Sequence, residues 1–472
     1  MAPYFTTAEI LAATRGRLLQ GEKGAVFAGV STDSRTCQAG ELFIPLKGAR
    51  HDGHDYIPQA VERGIRGVLV EEAWGPGYHL SPANRVPIIP KDVSLIRVRD
   101  TQTALGDLAR CWRGRFNLQV VSITGSCGKT TAKEMTAQVL SQAFRVIKNE
   151  MNLNNLIGLP QTLLKLDGSY EVAVVEMGMN RFGEILRLTE ISQPTVGVLL
   201  NVYPAHTEGV GCVEGVACAK GELIAGLSPA AVLVYNADDP RLAGRARFFP
   251  GRALSFGMGK GADLRAHSRC SLGRAGQTAV LSWQGRSWTL KLRAPGLHQL
   301  YNAMAATAVG LVLGLPPEET AAALADFQAI PRRSQIITLP SGAHLLNDCY
   351  NANPGSMAMA LKTLEELRDR GRAAAALGDM LELGVHATAQ HRQLGRLAAR
   401  TGLDLLVIYG HFREEVAAGA LEGGLPKNRV IPVPTREEGA KILREFLRPG
   451  DWLLVKGSRS MQMECIIEAL GG

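Results

Sequence analysis

The eight residues TGSCGKTT at 124–131 have the types and spacing of a loop that holds phosphate. An apolar, strand-like stretch at 118–123 leads in, and a helix-favouring stretch at 132–142 leads out. In that setting Gly125 and Gly128 let the backbone turn tightly, so that the N–H groups of the run Gly125, Ser126, Cys127, Gly128, Lys129, Thr130 and Thr131 face phosphate oxygens. Lys129 can then reach the β- and γ-phosphates, and the Thr130 hydroxyl can ligate Mg²⁺. Ile123 stands where the longer GxxxxGK[ST] pattern has its first glycine, so this is a shortened form. With 52 glycines in the chain a chance GxxGK[ST] match is the alternative, and strand and helix on the correct sides argue against it.

Three more groups with chemistry fall at or after the ends of apolar runs. EVAVVEMG delivers Glu176 as its run ends, a hard oxygen donor suited to Mg²⁺; the plainer reading is a solvated strand-end carboxylate. VGVLLNVYPAHTEGVG presents His206 and Glu208 in a turn. A lone histidine is more often structural, but open α/β sheets bind ligands beyond their strand ends, which favours contact with metal or substrate here. Lys220 lies among Val216, Ala217, Cys218 and Ala219, so a helix there would partly bury its amine and depress its pKa. A neutral amine can add CO₂ to give a carbamate, an anionic ligand for Mg²⁺. From the residues alone, a lysine lying with its stem along apolar surface is the stronger reading.

The elements that must position these groups alternate between strand and helix. In segment 1–98, strand-like pieces at 42–45 and 67–70 are separated by turn-rich stretches, as in a small α/β domain without a nucleotide motif. Between 99 and 330, strand-like runs at 120–124, 172–176, 196–202 and 232–236 alternate with helical stretches, which implies a parallel sheet of βαβ type and a nucleotide-binding core. After Pro331, runs at 344–347, 373–377, 405–409, 430–433 and 452–455 imply a third, doubly wound Rossmann-like domain. The expected fold is thus α/β in three domains: 1–98, 99–330 and 331–472.

Length and composition agree. A chain of 472 residues exceeds one ordinary core, and 46% hydrophobic with 20% charged residues is a globular balance. No apolar run is long enough to span a membrane, and the first 20 residues lack a basic stretch followed by an apolar one, so the expected location is the cytoplasm. Eight dispersed cysteines without a CxxC pair suit reduced thiols that serve packing. The net charge of +8 includes no block of five basic residues, so a nucleic-acid surface is the weaker reading, and anionic small-molecule substrates explain the excess equally well.

Taken in order, GSCGKTT, KNEMNLNNLIGLPQTLL, VVEMGMNRFGEI, NVYPAHTEGVG, AKGELI, NADDP, GLHQLYNAMAA, LNDCYNANPGSM, LGDMLELG and VKGSRSMQME resemble the Mur ligases from end to end. NLNNLIGLPQTLL, DCYNANPGSM and LGDMLELG, with the absence of a DNPR run, resemble the branch that adds D-alanyl-D-alanine to UDP-N-acetylmuramoyl-tripeptide in peptidoglycan precursor synthesis. The resemblance implies an ATP-dependent amide ligase with two Mg²⁺ ions. Lys129 and Thr130 would hold the ATP phosphates and one metal ion, with Glu176, His206 and a carbamoylated Lys220 as further ligands. It also implies Asn302, and more weakly His298, on the adenine, Asp348 on the ribose, and Arg333 on the γ-phosphate. Gln299 departs from the family's commoner GxHNxxN form, which leaves Asn302 the better candidate. By the same resemblance, Ser31, Asp33, Ser34 and Arg35 of STDSR, with Lys47 and Gly48, bind the uridine diphosphate sugar. Asn154 and Asn155 meet the muramoyl-peptide, and Asn351, Asn353, Lys456, Ser458 and Arg459 line the D-alanyl-D-alanine pocket. Without the family, Asp33, Ser34 and Arg35 read as a polar turn.

The implied chemistry starts from a poor electrophile. The tripeptide carboxylate would attack the γ-phosphorus of ATP to form an acyl phosphate, which the amine of D-alanyl-D-alanine would then attack. Three alternatives stand beside this one: the diaminopimelate- or lysine-adding Mur ligase, opposed by the missing DNPR run; folylpolyglutamate synthase, opposed by STDSR and DCYNANP; and a nucleotide-hydrolysing switch protein, for which no NKxD run is found. A monomer is expected, and residue three of the tripeptide, lysine or diaminopimelate, stays open.

Overall fold

The computed structural model describes residues 3–48, 50–74, 89–368 and 371–472. By contact density the chain forms two compact units: Met1–Ser122 with Phe144–Met177 and Leu186–Pro194, and Ile123–Ala143 with Gly178–Ile185 and Thr195–Gly472. Segment 1–98 falls in the first and 331–472 in the second, while 99–330 contributes to both.

In the first unit, the strands Arg17–Gln20, Ser94–Val98, Gly67–Glu71, Leu42–Phe43 and Val30–Ser31 lie side by side in that order, the first pair antiparallel and the rest parallel. Phe43, Ile57, Val68, Val70 and Leu95 form a core against it, the short parallel strands being apolar on the face they bury. The helix Thr101–Arg113 begins where the Asp100 carboxylate accepts from Thr103 N, satisfying one of the free N–H groups of its first turn. Its Trp112 donates Nε1–H to Leu166 O at 2.9 Å. Beyond it, Val146–Lys148 pairs in parallel with Val172–Glu176 and brings Glu176 to the end of a fully buried strand.

In the second unit, Val196–Leu199, Val232–Asn236, Arg252–Gly257 and Leu264–Ser271 are parallel. The parallel alternation expected from sequence stops there. Gln277–Trp283 and Arg286–Leu292 add to the edge as an antiparallel hairpin. Its two-residue turn is Gln284–Gly285, both with positive φ (48° and 77°), the conformation that matches strand twist in tight hairpins. Alternating burial along Gln277–Trp283 fits a sheet with one face on the core.

The carboxy-terminal sheet runs Gln335–Thr338, His344–Asn347, Trp452–Lys456, Ala373–Leu377, Leu405–Tyr409, Val430–Val433, with only the first pair antiparallel. Both faces are covered: Leu346, Ala373, Ala375, Leu377 and Leu454 pack on one side, and Leu345, Ala374, Ala376, Leu453 and Val455 on the other. Strands buried on both faces need no polar alternation, which is why they read as plain apolar runs. This is the doubly wound domain expected from the sequence, and the α/β class holds throughout. Among the described residues no helix is long and apolar enough to cross a membrane.

Candidate functional site

The strand Gln119–Thr124 ends in the phosphate-type loop, and the helix Lys129–Leu140 begins at once behind it. That helix has no side-chain cap; its N-cap is Gly128 at φ 81°, so the first-turn N–H groups are not taken by a capping side chain and suit an anion. Glycine is required there twice over. The left-handed φ disfavours a side chain, and a Cβ would stand 2.3 Å from Asn302 Oδ1. Asn302, placed by the helix Leu297–Val312, is thereby brought against the loop. Lys129 Nζ donates to Gly125 O at 3.0 Å, folded back on its own loop.

Loop shape is held by residues the sequence did not single out. Asn201 accepts from Cys127 N (2.9 Å) and donates to Cys127 O (3.1 Å). The Ser126 hydroxyl accepts from Tyr203 N and donates to Tyr203 O. Cys127 is a buried thiol whose pKa burial raises; its Sγ lies 3.1 Å from Asn353 Oδ1, consistent with a packing role. Thr130 and Thr131 are buried in the helix's first turn.

Glu176 is 3% exposed and accepts from Asn154 Nδ2 at 2.6 Å. Asn149, which the sequence reading passed over, clamps its backbone, Oδ1 accepting from Glu176 N and Nδ2 donating to Glu176 O. Asn155 Oδ1 accepts from Gly158 N, the first residue of the helix Gly158–Leu163, at 2.9 Å. Lys220 lies on the helix Val213–Gly226 and is 1% exposed, so the burial expected of its amine is present.

His206 heads the short helix Thr207–Val210 with φ 56°, and its Nδ1 lies 2.5 Å from Glu382 Oε2. Glu382 is also left-handed (φ 63°). The imidazole beside it holds the Glu382 carboxyl below the ordinary carboxylate value. The surrounding LELG backbone is tied down as well, Glu208 N donating to Glu382 O and the Thr207 hydroxyl to Leu383 O. Glu382 belongs to LGDMLELG, a motif noticed in the sequence without a role for this residue.

Asp348 accepts from Ser334 N (2.8 Å) and pairs with Lys456 Nζ (2.5 Å), which also donates to Asn351 O. Arg333 lies over the Tyr350 ring. His298 meets the Ser334 hydroxyl through Nε2 (3.2 Å), while its buried Nδ1 has no partner among the described residues; burial lowers its pKa to about 4, so the ring is neutral near pH 7. Asn353 caps the helix Pro354–Leu367 by accepting from Ser356 N, and donates Nδ2–H to Ser126 O. Ser458 Oγ accepts from Leu381 N, and Arg459 pairs with Glu464.

In the first unit, the STDSR turn is real: Asp33 holds Arg35 through both carboxylate oxygens, and that guanidinium lowers the Asp33 pKa to about 2. Ser31 closes the turn by donating to Asp33 O, and Ser34 donates to Gln59 Oε1. The backbones of Lys47 and Asp52 form an isolated antiparallel β-bridge, and Gly48 N donates to His51 O. Gln161 of NLNNLIGLPQTLL donates to Thr32 Oγ1 at 2.7 Å, joining the two stretches assigned to the sugar-peptide substrate.

Family models match in three successive stretches: the Mur ligase family catalytic domain over 26–113, the Mur ligase middle domain over 123–310, and the Mur ligase glutamate ligase domain over 332–459. The UDP-N-acetylmuramoyl-tripeptide–D-alanyl-D-alanine ligase of Bacillus subtilis is 35% identical over 94% of this chain and 93% of its own length; that of Escherichia coli is 35% identical over 96% of each. Among solved structures, MurF from Acinetobacter baumannii superposes with a TM-score of 0.89 at 30% identity over 99% of both chains. MurF ligase from Thermotoga maritima, in complex with ADP, gives 0.82 at 29% identity over 93% of this chain and 96% of that one. A folylpolyglutamate synthase from Mycobacterium tuberculosis, at 16% identity and a TM-score of 0.63, shares the fold alone. With three family domains in order and relatives at this identity along nearly the whole chain, the protein belongs to the Mur ligase family.

Proposed function

We propose that the protein joins D-alanyl-D-alanine to UDP-N-acetylmuramoyl-tripeptide at the expense of ATP, in the cytoplasm and as a monomer. The observation that carries the reading is the phosphate loop itself: an uncapped helix start behind Gly128, with Asn302 against it and the Lys129 ammonium resting on a loop carbonyl from which phosphate would recruit it. The buried Nδ1 of His298, without a partner among the described residues, supports an adenosine neighbour.

Thr130, Glu176, His206 and Lys220, the last as its carbamate, would hold Mg²⁺. A hydroxyl, a buried carboxylate and a carbamate are hard oxygen donors. When bound, the ions would offset repulsion between the anionic reactants and stabilise charge on the phosphoryl group. Lys129 and Arg333 would do the same from the protein, while the STDSR turn, Lys47, Asn154 and Asn155 would bind and orient the sugar-peptide. Asp348 would receive the ribose. Asn351, Asn353, Lys456, Ser458 and Arg459 would frame the dipeptide site, with Lys456 and Asn353 acting through the loops they tie, since their polar atoms are already engaged. The tripeptide carboxylate attacks the γ-phosphorus with loss of ADP, and the amine of D-alanyl-D-alanine displaces phosphate through a tetrahedral intermediate. Positioning supplies much of the rate.

The test is phosphate release by the purified enzyme. It is expected only with ATP, UDP-N-acetylmuramoyl-tripeptide and D-alanyl-D-alanine all present. Turnover without the dipeptide, or with a folate and glutamate in place of both substrates, would refute the assignment. Comparing lysine- and diaminopimelate-containing tripeptides identifies the acceptor.

A further inference from the structure

The sequence PRRS at 331–334 sets two arginines side by side, and the structure gives them different surroundings. Arg332 pairs with Glu464 at 3.3 Å. Arg333 has no carboxylate within ion-pair distance among the described residues; its Cζ lies over the Tyr350 ring, 4.0 Å from the centroid. A guanidinium on an aromatic face is held by the ring's negative quadrupole, which uses none of its five N–H donors. Those donors lie in the guanidinium plane, in the fork that matches two oxygens of a phosphoryl group.

The backbone around Arg333 is held by the same short segment that supplies the ring. Tyr350 N donates to Arg332 O (3.2 Å), and Asp348 Oδ1 accepts from Ser334 N (2.8 Å). The residues flanking Arg333 are both left-handed, Arg332 at φ 63° and Ser334 at φ 51°. Non-glycine residues adopt that conformation only where surrounding contacts over-determine it. Residues 348–350 thus fix the backbone before and after Arg333, and the side chain between.

We propose that Tyr350 is a positioning residue that presents the edge of the Arg333 guanidinium to the phosphoryl group being transferred. This rests on the reading of Arg333 as the γ-phosphate contact. Contact with the ring restricts the guanidinium, so that less rotamer freedom remains to be lost when the phosphoryl group arrives. A tyrosine hydroxyl has no part in this, and phenylalanine serves as well.

The experiment is a double-mutant cycle on the full-length enzyme with Y350F, Y350A, R333A and Y350A/R333A. It reads kcat and KM, and the affinity ratio of a non-hydrolysable ATP analogue to ADP; thermal melting checks that each variant is folded. Y350A is expected to lower kcat on the order of tenfold and to pull the analogue/ADP ratio toward that of R333A, while Y350F keeps both near wild type. In the R333A background, Y350A should do nothing further. Independent, multiplying effects would overturn the proposal, and so would a Y350F as impaired as Y350A. If R333A alone turned over like wild type, the γ-phosphate reading would fall, and this inference with it; an impaired R333A with independent effects would remove the inference alone.

Discussion

Lys220 is 1% exposed on the helix Val213–Gly226 of the second unit. The proposed carbamate forms when the unprotonated amine adds CO₂. A protonated amine has no lone pair for a metal, whereas a carbamate offers two oxygens and a negative charge, as Mg²⁺ prefers. Lys220→Ala is therefore expected to lose most of its turnover and to regain part of it with millimolar formate or acetate. Lys220→Arg keeps the positive charge but forms no carbamate, and should stay inactive. An active arginine variant, or a bare amine seen in crystals grown with bicarbonate, would exclude the carbamate and leave the ligase reading intact.

At the scale of elements, the junction between the strand Gln119–Thr124 and the helix Lys129–Leu140 makes the loop depend on Gly128. Replacing it with alanine forces a side chain into a left-handed backbone, which costs about 1–2 kcal/mol, and drives a Cβ to 2.3 Å from Asn302 Oδ1. Gly128→Ala should melt at lower temperature and bind ADP more weakly by calorimetric titration. Gly168→Ala, with ordinary φ and nothing within 4 Å of the added Cβ, is the control and should change neither. Unaltered ADP affinity in Gly128→Ala would show that the loop tolerates a different shape. This junction was legible because its spacing is local: glycines, lysine and threonine follow one another in the chain. The strands of the doubly wound domain were legible too, since burial on both faces leaves unbroken apolar runs such as Ala373–Leu377. The antiparallel hairpin Gln277–Leu292 was not, because its polar alternation looks like loop until the Gln284–Gly285 turn is recognised. What sequence could not supply is pairing between distant segments. Glu382 against His206, Tyr350 under Arg333 and Asn149 around Glu176 need the fold to bring them together. Asn353 and Lys456 belong to recognisable motifs, yet only the structure assigns them to a helix cap and a buried ion pair.

Over the whole molecule, the chain carries a net charge of +8, spread without a basic block. Such a field acts on substrates in proportion to their charge, raising encounter rates for anions more than local affinity. ATP and a UDP-linked peptide are polyanions, while D-alanyl-D-alanine is a zwitterion near pH 7, so the proposed substrates should respond differently to salt. Raising ionic strength from about 0.01 M to about 1 M shrinks the Debye length from about 30 Å to about 3 Å, removing long-range attraction while contacts inside the site are screened much less. We expect kcat/KM for ATP and for the UDP-linked peptide to fall several-fold over that range, and kcat/KM for D-alanyl-D-alanine to change little when the other two are saturating. Repeating the series with a second salt of the same valence separates screening from specific ion effects. An equal fall for all three substrates would mean that salt acts on the enzyme's conformation, and no fall for the anions would mean that the positive charge lies where it does not steer them.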